Sequence, residues 1–419
     1  MADFTFLHAA DLHLDSPLLG LRGRSIAWAS RVDQASRQAF TGLVDLAITA
    51  HCRFVVLAGD LFDGELRNFE AGLFFMEGMR RLQAAAIEVY LILGNHDAEN
   101  QFAGQLLHAQ NVHLFASAAP ESRTCPGLPV TLHGQSFAQR DVTDNLARAY
   151  PPPVPGHFNI GLLHTACQGS EGEHAAYAPC TLPQLVNHGY DYWALGHIHA
   201  RQILHEYPHV IYPGNLQGRS PRETGGKGVT LVTVADDRVV AAEHHDLDHV
   251  RWAHLRLDIS AATHRDAILA QLRAELVPQA QQAERRAVAL RLSLVGQSVL
   301  HDGLQLNRAA LLDEVEALLA SLSGNLWLER LRLRTQPPAA CAGIDPSVGG
   351  RLASQIRAFA ADGSAQALVE RRLLELRAKI PAAAGAEPLL QALRSRAGEG
   401  ALGLALSLVS DGEGPHAPD

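Results

Sequence analysis

The sequence predicts a mixed α/β fold, and three observations indicate it. In the first hundred residues, apolar runs of strand length alternate with amphipathic stretches of helical length. After about residue 110 the predicted elements become shorter and richer in strands. A second alternation of strands and helices runs over 250–335. Because 419 residues exceed what one core usually holds, we expect two or three domains.

The first hundred residues contain three predicted strands separated by two helices. Phe4–Ala9 is the first strand, and a helix over 31–50 follows it, with its apolar side chains on one face. The short apolar run Phe54–Ala58 is the second strand, and a helix over 68–86 leads from it to the third, Glu88–Leu93. Connections this short are typical of helices that pack on a sheet.

Composition divides the chain into three predicted parts, of which residues 1–245 are the first domain. The strand–helix–strand–helix–strand (βαβαβ) block at 250–335 is long enough to be a small domain, and a Pro- and Gly-rich segment follows it. The last part, 350–410, is predicted to be helical because apolar side chains recur there at helical spacing. Three of these share one face: Leu352, Ile356 and Phe359.

The charge of the chain is acidic and unevenly spread. The net charge of −9 by itself argues against a nucleic-acid partner. Residues 1–249 hold 16 Lys and Arg against 26 Asp and Glu, a net charge of −10. Bound divalent cations would neutralise part of this charge, so the acidity of the first domain is compatible with a metal site.

Membrane and disulfide-rich classes are both disfavoured. No apolar run reaches the roughly 18–20 residues needed to cross a bilayer, and the N-terminus lacks a basic leader with a cleavage site. We therefore expect a soluble, cytoplasmic protein with no membrane partner. The five cysteines are scattered and lack CxxC spacing, which argues against a disulfide framework or a thiolate zinc site.

Polar side chains follow five apolar runs of strand character. The segments are Asp11-Leu12-His13, Gly59-Asp60-Leu61-Phe62-Asp63, Gly94-Asn95-His96-Asp97, Leu163-His164-Thr165 and Gly196-His197-Ile198-His199. In an α/β sheet the carboxyl ends of the strands form the edge where ligands bind. A spacing of two, as between Asp11 and His13, puts both side chains on one face of an extended chain. The five segments therefore predict one shared site.

These segments supply carboxylate, amide and imidazole ligands but no thiolate. The candidate metal ligands are Asp11, His13, Asp60, Asn95, His164, His197 and His199. Mixed oxygen and nitrogen donors suit Mn²⁺, Fe²⁺ or Zn²⁺ better than Mg²⁺ or Ca²⁺. Seven ligands are too many for one tetrahedral ion and enough for two ions that share a carboxylate. Two ions about 3.5–4 Å apart can clamp a phosphate and activate a water for in-line displacement.

The order of these motifs resembles the calcineurin-like metallophosphoesterase superfamily over roughly residues 4–235. The Gly196–His199 block, Tyr212-Pro213-Gly214-Asn215 and the segment from Glu223 to Gly228 resemble, more narrowly, the SbcD-type DNA repair exonuclease subunits and their YhaO-like branch. The resemblance implies a four-layer β-sandwich flanked by helices. It also implies that the βαβαβ block is a capping domain and that C-terminal helices follow it.

The resemblance also implies a role for each residue of the site. One metal takes Asp11, His13, Asp60 and His199, and the other takes Asp60, Asn95, His164 and His197, with Asp60 bridging. His96 is the histidine that protonates the leaving oxygen or stabilises the phosphorane without binding metal. Asp97 is predicted to orient His96, as carboxylates commonly orient catalytic imidazoles. Asp63 is predicted to lie behind the metal ligands.

The leading functional hypothesis is a Mn²⁺-dependent phosphodiesterase that acts on DNA ends in DNA repair. The resemblance implies a 3′→5′ exonuclease with some endonuclease activity. The implied partners are DNA, an SMC-like coiled-coil ATPase subunit docked on the Leu352–Phe359 face, and a second copy of the chain.

Two alternatives stay open. The acidic first domain favours a metallophosphoesterase for small phosphodiester or nucleotide substrates, although such substrates need neither the βαβαβ block nor the C-terminal helices. The second alternative is a metal-bearing scaffold that mainly binds the ATPase.

Overall fold

A computed structural model describes residues 3–16, 18, 26–63, 69–99, 109–170, 177–282, 286–338, 355–358, 364–377, 390, 391 and 394. The strands are β1 (Phe4–Ala9), β2 (Phe54–Ala58), β3 (Glu88–Ile92), β4 (Val112–Leu114), β5 (Glu121–Thr124), β6 (Val130–Gly134), β7 (Phe158–His164), β8 (Cys167–Gln168), β9 (Cys180–Thr181), β10 (Tyr192–Gly196), β11 (Gln202–Glu206), β12 (His209–Tyr212), β13 (Gly228–Ala235), β14 (Arg238–Asp246), β15 (Val250–Asp258), β16 (Ala287–Gln297) and β17 (Leu326–Gln336). The helices are α1 (Ile26–Thr49), α2 (Phe69–Ala84), α3 (Leu182–Val186), α4 (Arg265–Gln282), α5 (His301–Leu306), α6 (Arg308–Leu322) and α7 (Ser364–Arg377).

The first large sheet has six strands in the order β14-β13-β1-β2-β3-β4. Strands β1, β2, β3 and β4 are parallel, whereas β13 runs antiparallel to β1. Since β1, β2 and β3 are adjacent and parallel, the segments that follow them leave the sheet at the same edge. Three of the five polar segments therefore begin side by side.

The second large sheet also has six strands, in the order β11-β12-β10-β7-β6-β5. Strands β7 and β10 are adjacent and parallel, and the register pairs His164 with Gly196. The remaining two polar segments, which carry His164 and His197, therefore also leave neighbouring strand ends.

Three apolar layers hold this part of the chain together. Helices α1 and α2 pack on the outer face of the first sheet, with Phe40 and Phe75 buried there. The two sheets pack face to face through a core that includes Phe6, Phe54 and Tyr192. The outer face of the second sheet is covered by α3 and its neighbours. Burial of each such large apolar side chain contributes roughly 1.5–3 kcal/mol. The expected mixed α/β class and four-layer sandwich are confirmed.

The chain divides into two compact units. Unit one comprises Met1–His254, Gln279–Arg291 and Ser323–Glu329, and unit two comprises Leu255–Pro278, Leu292–Leu322 and Arg330–Asp419. Both six-stranded sheets belong to unit one. In unit two, α4 buries Ile268 and Leu272, and α6 buries Leu311 and Val315.

The strand–helix alternation expected over 250–335 is present as β15, α4, β16, α6 and β17. The three strands form one sheet in the order β15-β16-β17. Helix α5 lies between β16 and α6 and was absent from the sequence prediction. The boundaries 1–245, 250–335 and 350–410 stay a prediction.

Of the apolar face expected near the C-terminus, Ile356 lies in a described helical stretch, whereas Leu352 and Phe359 lie outside the described residues. Helix α7 falls within the segment expected to be helical. In the parts of the chain that the structure describes, no helix combines the length and apolarity that a membrane span requires.

Candidate metal centre

The turns after the strands take an unusual backbone conformation. Asp11, His13, Asp60 and His197 all have positive φ angles, of 52°, 41°, 53° and 98°. Residues other than glycine rarely adopt this left-handed backbone conformation, which costs of order 1–3 kcal/mol. Residues that do adopt it cluster at functional sites. The turns are fastened to one another, because the Asp11 amide donates to the Gly59 carbonyl at 2.9 Å and the His13 amide to the Asp60 carbonyl at 3.1 Å.

This geometry corrects one step of the sequence argument. Asp11 and His13 do converge on one site, but two left-handed turns bring them together, not an extended chain with a two-residue repeat. The two-residue spacing therefore identified Asp11 and His13 correctly, but the extended conformation assumed for them is wrong.

The first cluster of ligand atoms joins Asp11, His13 and His199, whose donor atoms all lie within 4.8 Å of one another. Nε2 of His13 lies 3.3 Å from Nε2 of His199 and 3.8 Å from Oδ2 of Asp60. Asp11, His13 and Asp60 are each about 1% exposed. Four of the predicted ligands therefore lie together in the first unit, and three of them are buried.

The second cluster joins Asp11, Asp60 and His164, and a further group of His13, Asp60 and His96 shares His13 with the first cluster and Asp60 with the second. Nε2 of His164 lies 3.5 Å from Oδ2 of Asp60 and 3.0 Å from Oδ1 of Asn95. Asp60 contacts histidines of both clusters, which is the position expected of a bridging carboxylate.

His197 is placed beside the second cluster. Its backbone amide donates to both carboxylate oxygens of Asp11, at 3.2 and 3.0 Å, and its ring lies 5.3 Å from the His164 ring. The ring of Tyr177 packs against it at 5.5 Å. All seven predicted metal ligands thus lie in one neighbourhood, although the ring nitrogens of His197 are not among the grouped ligand atoms.

The orientation of the donor atoms fits bound cations. Nδ1 of His164 donates to the Ala58 carbonyl at 2.9 Å, so Nε2 of the neutral ring carries a lone pair that faces the acceptor oxygens of Asn95 and Asp60. The Nε2 atoms of His13 and His199 also face each other, 3.3 Å apart. Lone pairs that point at one another repel unless a proton or a metal ion lies between them.

Burial and the neighbouring charges act in opposite directions on the pKa values of the clustered side chains. Burial lowers the pKa of His164, but the Asp60 and Asp11 carboxylates outweigh burial and raise that pKa to about 9. Burial raises the pKa of Asp11 to about 6, against the effects of His199 and His164. Burial lowers the pKa of His13 to about 3, which keeps this ring in the neutral form that binds metal.

His96 lies at the rim of these clusters and is held by Asp63. Nδ1 of His96 is 3.1 Å from Oδ1 of Asp63, and the His96 side chain is 28% exposed. The same carboxylate accepts from Oγ of Ser16 at 2.8 Å and from Nη1 of Arg219 at 2.9 Å. The hydrogen bond to Asp63 raises the pKa of His96 against the opposing effect of burial.

The Asp97 carboxylate is bonded to backbone amides and not to the His96 ring that it was predicted to orient. Its carboxylate accepts from the backbone amides of Leu61, Phe62 and Gly94 at 3.0, 3.0 and 3.1 Å. Burial, with the nearby charge of Asp60, raises the pKa of Asp97 to about 7. Asp97 ties the turn after β2 to the turn after β3, and the carboxylate that contacts the His96 ring is that of Asp63.

Sequence reasoning also missed the part played by Glu223. One of its oxygens lies 3.1 Å from Nδ1 of His199. The resemblance had marked the Glu223–Gly228 segment, but no periodicity or spacing connected it to a metal ligand 24 positions earlier. The signals available from sequence were the second aspartate of Gly59–Asp63 and the glutamate that opens the segment marked by the resemblance.

Comparison with known proteins bears on this geometry. A family model described as calcineurin-like phosphoesterase matches residues 4–201, and one described as the middle domain of metallophosphoesterase YhaO matches residues 252–336. The uncharacterized metallophosphoesterase YhaO of Bacillus subtilis (strain 168) is 36% identical over 358 residues, covering 84% of this chain and 86% of that protein. The chain belongs to the calcineurin-like metallophosphoesterase family. The expected resemblance to this family and its YhaO branch is therefore confirmed.

More distant similarity links this metallophosphoesterase to proteins named for DNA repair. The DNA double-strand break repair protein Mre11 of Methanopyrus kandleri is 26% identical, over 50% of this chain and 48% of that protein. Mre11 of Sulfurisphaera tokodaii is also 26% identical, over 57% of this chain and 61% of that protein. The family uses divalent metals, and the two clusters supply Asp and His side chains placed to hold them.

Proposed function

We propose that this metallophosphoesterase is a two-metal phosphodiesterase that cleaves DNA at its ends. The observation that carries the proposal is a buried set of carboxylate and imidazole donors with one carboxylate-held histidine, His96, at its rim. The metal ligands in this proposal are Asp11, His13, Asp60, Asn95, His164, His197 and His199.

Bound divalent ions would clamp the phosphate and lower the pKa of a water that attacks phosphorus. The protein side chains do the rest. Asp63 accepts from Nδ1–H of His96, which leaves Nε2 for the substrate and raises the pKa of the ring. As the scissile P–O bond breaks, Nε2–H of His96 donates its proton to the leaving sugar oxygen. Arg219, beside Asp63, adds positive charge near the reacting phosphate.

We propose Mn²⁺ as the working metal. The donor set is mixed carboxylate, amide and imidazole, which Mn²⁺ accepts more readily than Mg²⁺ does. DNA as substrate is supported by the similarity to the Mre11 proteins, whose name assigns them to double-strand break repair. The direction of digestion, 3′→5′ with some endonuclease activity, comes from the same family resemblance.

The test is cleavage of linear duplex DNA with Mn²⁺ by the wild type and by His96→Ala. We expect His96→Ala to be slower by roughly 10²-fold or more, because it lacks the group that protonates the leaving oxygen. His51→Asn is the matched control, since His51 is an exposed histidine with positive φ that asparagine tolerates. A panel of 3′-overhang, 5′-overhang and blunt duplexes would report polarity. Equal cleavage by wild type and His96→Ala would remove His96 from the mechanism.

A second candidate is hydrolysis of small phosphodiesters or nucleotides. The net charge of −10 over residues 1–249 favours it, because an acidic surface repels a polyanion. Turnover of an aryl phosphodiester compared with degradation of duplex DNA separates the two functions. Rapid aryl turnover without DNA degradation would support the second candidate.

We also propose an SMC-like coiled-coil ATPase as a partner that helps the acidic chain to bind DNA. The resemblance and the net charge of −9 support this partner. Phe359→Glu is expected to abolish binding of the ATPase and to leave Mn²⁺-dependent hydrolysis unchanged. Retained binding would move the docking site away from Phe359. A scaffold without catalysis would bind the ATPase but hydrolyse neither DNA nor aryl phosphodiester.

A further inference from the structure

We propose that Glu223 is a positioning residue that fixes the metal-binding form of His199. The inference rests on the proposed metal site and deepens it by adding a side chain that touches neither metal nor substrate. The ligand concerned is a divalent cation, and the reaction is unchanged.

The Glu223 carboxylate contacts the ring of His199 directly. Oε1 of Glu223 lies 3.1 Å from Nδ1 of His199. On the opposite side of the ring, Nε2 of His199 lies 3.3 Å from Nε2 of His13 and 4.0 Å from Oδ1 of Asp11. A carboxylate on Nδ1 holds the proton there, so Nε2 keeps the lone pair that a cation needs.

Glu223 is itself held in place by further hydrogen bonds. Its other oxygen, Oε2, accepts from Nδ2 of Asn215 at 2.8 Å and from the backbone amide of Arg219 at 2.6 Å. With three donors around it and only 17% of the side chain exposed, the carboxylate has little freedom to rotate. A glutamate that merely filled space would not need this support.

The segment that contains Glu223 also binds the backbone of His199. Nζ of Lys227, which is 6% exposed, donates to the His199 carbonyl at 2.8 Å. The backbone amide of Asn215 donates to the same carbonyl at 3.3 Å. The segment from Asn215 to Lys227 therefore contacts both the ring and the backbone carbonyl of His199.

The test is calorimetric titration of Mn²⁺ into metal-free wild type, Glu223→Gln and Glu243→Gln. A glutamine presents one acceptor oxygen and one NH₂ group, so it cannot satisfy all three donors that Glu223 accepts from. We expect Glu223→Gln to bind one Mn²⁺ normally and the other 10–100-fold more weakly. Glu243 lies exposed on β14, and its variant controls for the loss of one negative charge. Glu243→Gln is expected to bind Mn²⁺ like the wild type.

A purely structural role predicts a different pattern. If Glu223 only stabilised the fold, Glu223→Gln would lower the free energy of unfolding in EDTA and leave both Mn²⁺ affinities unchanged, which would overturn the proposal. An equal weakening by Glu243→Gln would overturn it as well. Should Glu223→Gln not fold, Glu223→Asp carries the test, because its shorter side chain keeps the charge but cannot reach Nδ1 of His199. A high concentration of Mn²⁺ should restore hydrolysis of an aryl phosphodiester by Glu223→Gln or Glu223→Asp.

The outcomes separate this inference from the proposed function. If the wild type binds two Mn²⁺ but does not cleave DNA, the role of Glu223 stands and DNA is the wrong substrate. If the wild type binds no Mn²⁺, the role of Glu223 falls with the metal site.

Discussion

At the scale of single residues, Asp63 and Asp97 both lie near His96, but their carboxylates bond to different groups. Asp97 follows His96 directly in the chain, yet its oxygens accept from three backbone amides. Asp63 is 33 positions away in sequence, yet its carboxylate contacts the His96 ring at 3.1 Å. Neighbours in a turn point in different directions, so adjacency in sequence did not identify the orienting carboxylate.

We predict that Asp63→Asn shifts the pH dependence of phosphodiester hydrolysis. His96 acts in its protonated form, so activity falls as the pH rises through the pKa of His96. Asp63 raises that pKa, and its replacement by a neutral amide lowers it. The alkaline limb of kcat/KM should therefore move to lower pH, with roughly 10-fold lower activity at neutral pH.

Asp97→Asn is the matched comparison. It places an NH₂ group among three amide donors and should lower the free energy of unfolding by about 1–3 kcal/mol. The alkaline limb should stay in place. A limb that moves with Asp97→Asn and not with Asp63→Asn would restore Asp97 as the orienting residue.

The buried His8 makes a separate prediction about acid stability. His8 is fully buried, Nδ1 lies 2.9 Å from the Tyr192 hydroxyl, and burial lowers its pKa from 6.5 to about 3. Below pH 6.5 His8 is protonated in the unfolded chain but not in the folded chain. The contribution of the neutral His8 to the free energy of unfolding is therefore complete above that pH and is lost as the pH falls towards 3. Between pH 7 and pH 5 the loss from His8 is about 2 kcal/mol.

His8→Asn should remove this loss, because asparagine keeps a partner for Tyr192 without a titrating group. Urea denaturation of both proteins at pH 7 and pH 5 measures it. His51→Asn, at an exposed position, should lose as much stability as the wild type does. Identical losses for His8→Asn and the wild type would show that His8 does not oppose acid stability.

At the scale of elements, the strands were predictable because buried parallel strands appear as short apolar runs. The strand predicted over Phe54–Ala58 has the observed bounds, and the one over Glu88–Leu93 ends one residue early. The sequence also located the site, because polar residues directly after apolar runs must lie at the strand ends. The left-handed turns of Asp11 and His13 were not predictable, because only the tertiary contacts of the site select that conformation.

Gly94 shows how tightly the turns pack. A Cβ atom added at Gly94 would lie 2.3 Å from Oδ1 of Asp60 and 2.8 Å from the Asp60 amide nitrogen. We predict that Gly94→Ala displaces Asp60, lowers the free energy of unfolding by about 1–3 kcal/mol and abolishes Mn²⁺ binding. Gly303→Ala is the control, since nothing lies within 4 Å of its added Cβ and alanine favours the helix. Normal Mn²⁺ binding by Gly94→Ala would contradict this packing argument.

At the scale of the whole molecule, acidity and metal binding are parts of one account. The first 249 residues carry a net charge of −10, and the buried carboxylates of Asp11 and Asp60 contribute to it where water cannot screen them. Cations at the two clusters would offset that charge. The net charge argued against a nucleic-acid partner, and the placement of these two carboxylates at the clusters answers part of that argument.

The central claim is that strand-end ligands from both sheets build one two-ion site around Asp60. The most direct measurement is the number of Mn²⁺ ions that bind per chain to the metal-free wild type and to Asp60→Asn. We predict two ions for the wild type and the loss of both, or a large weakening of both, for Asp60→Asn, because Asp60 contacts histidines of both clusters. One ion or none in the wild type, or unchanged binding by Asp60→Asn, would contradict the account.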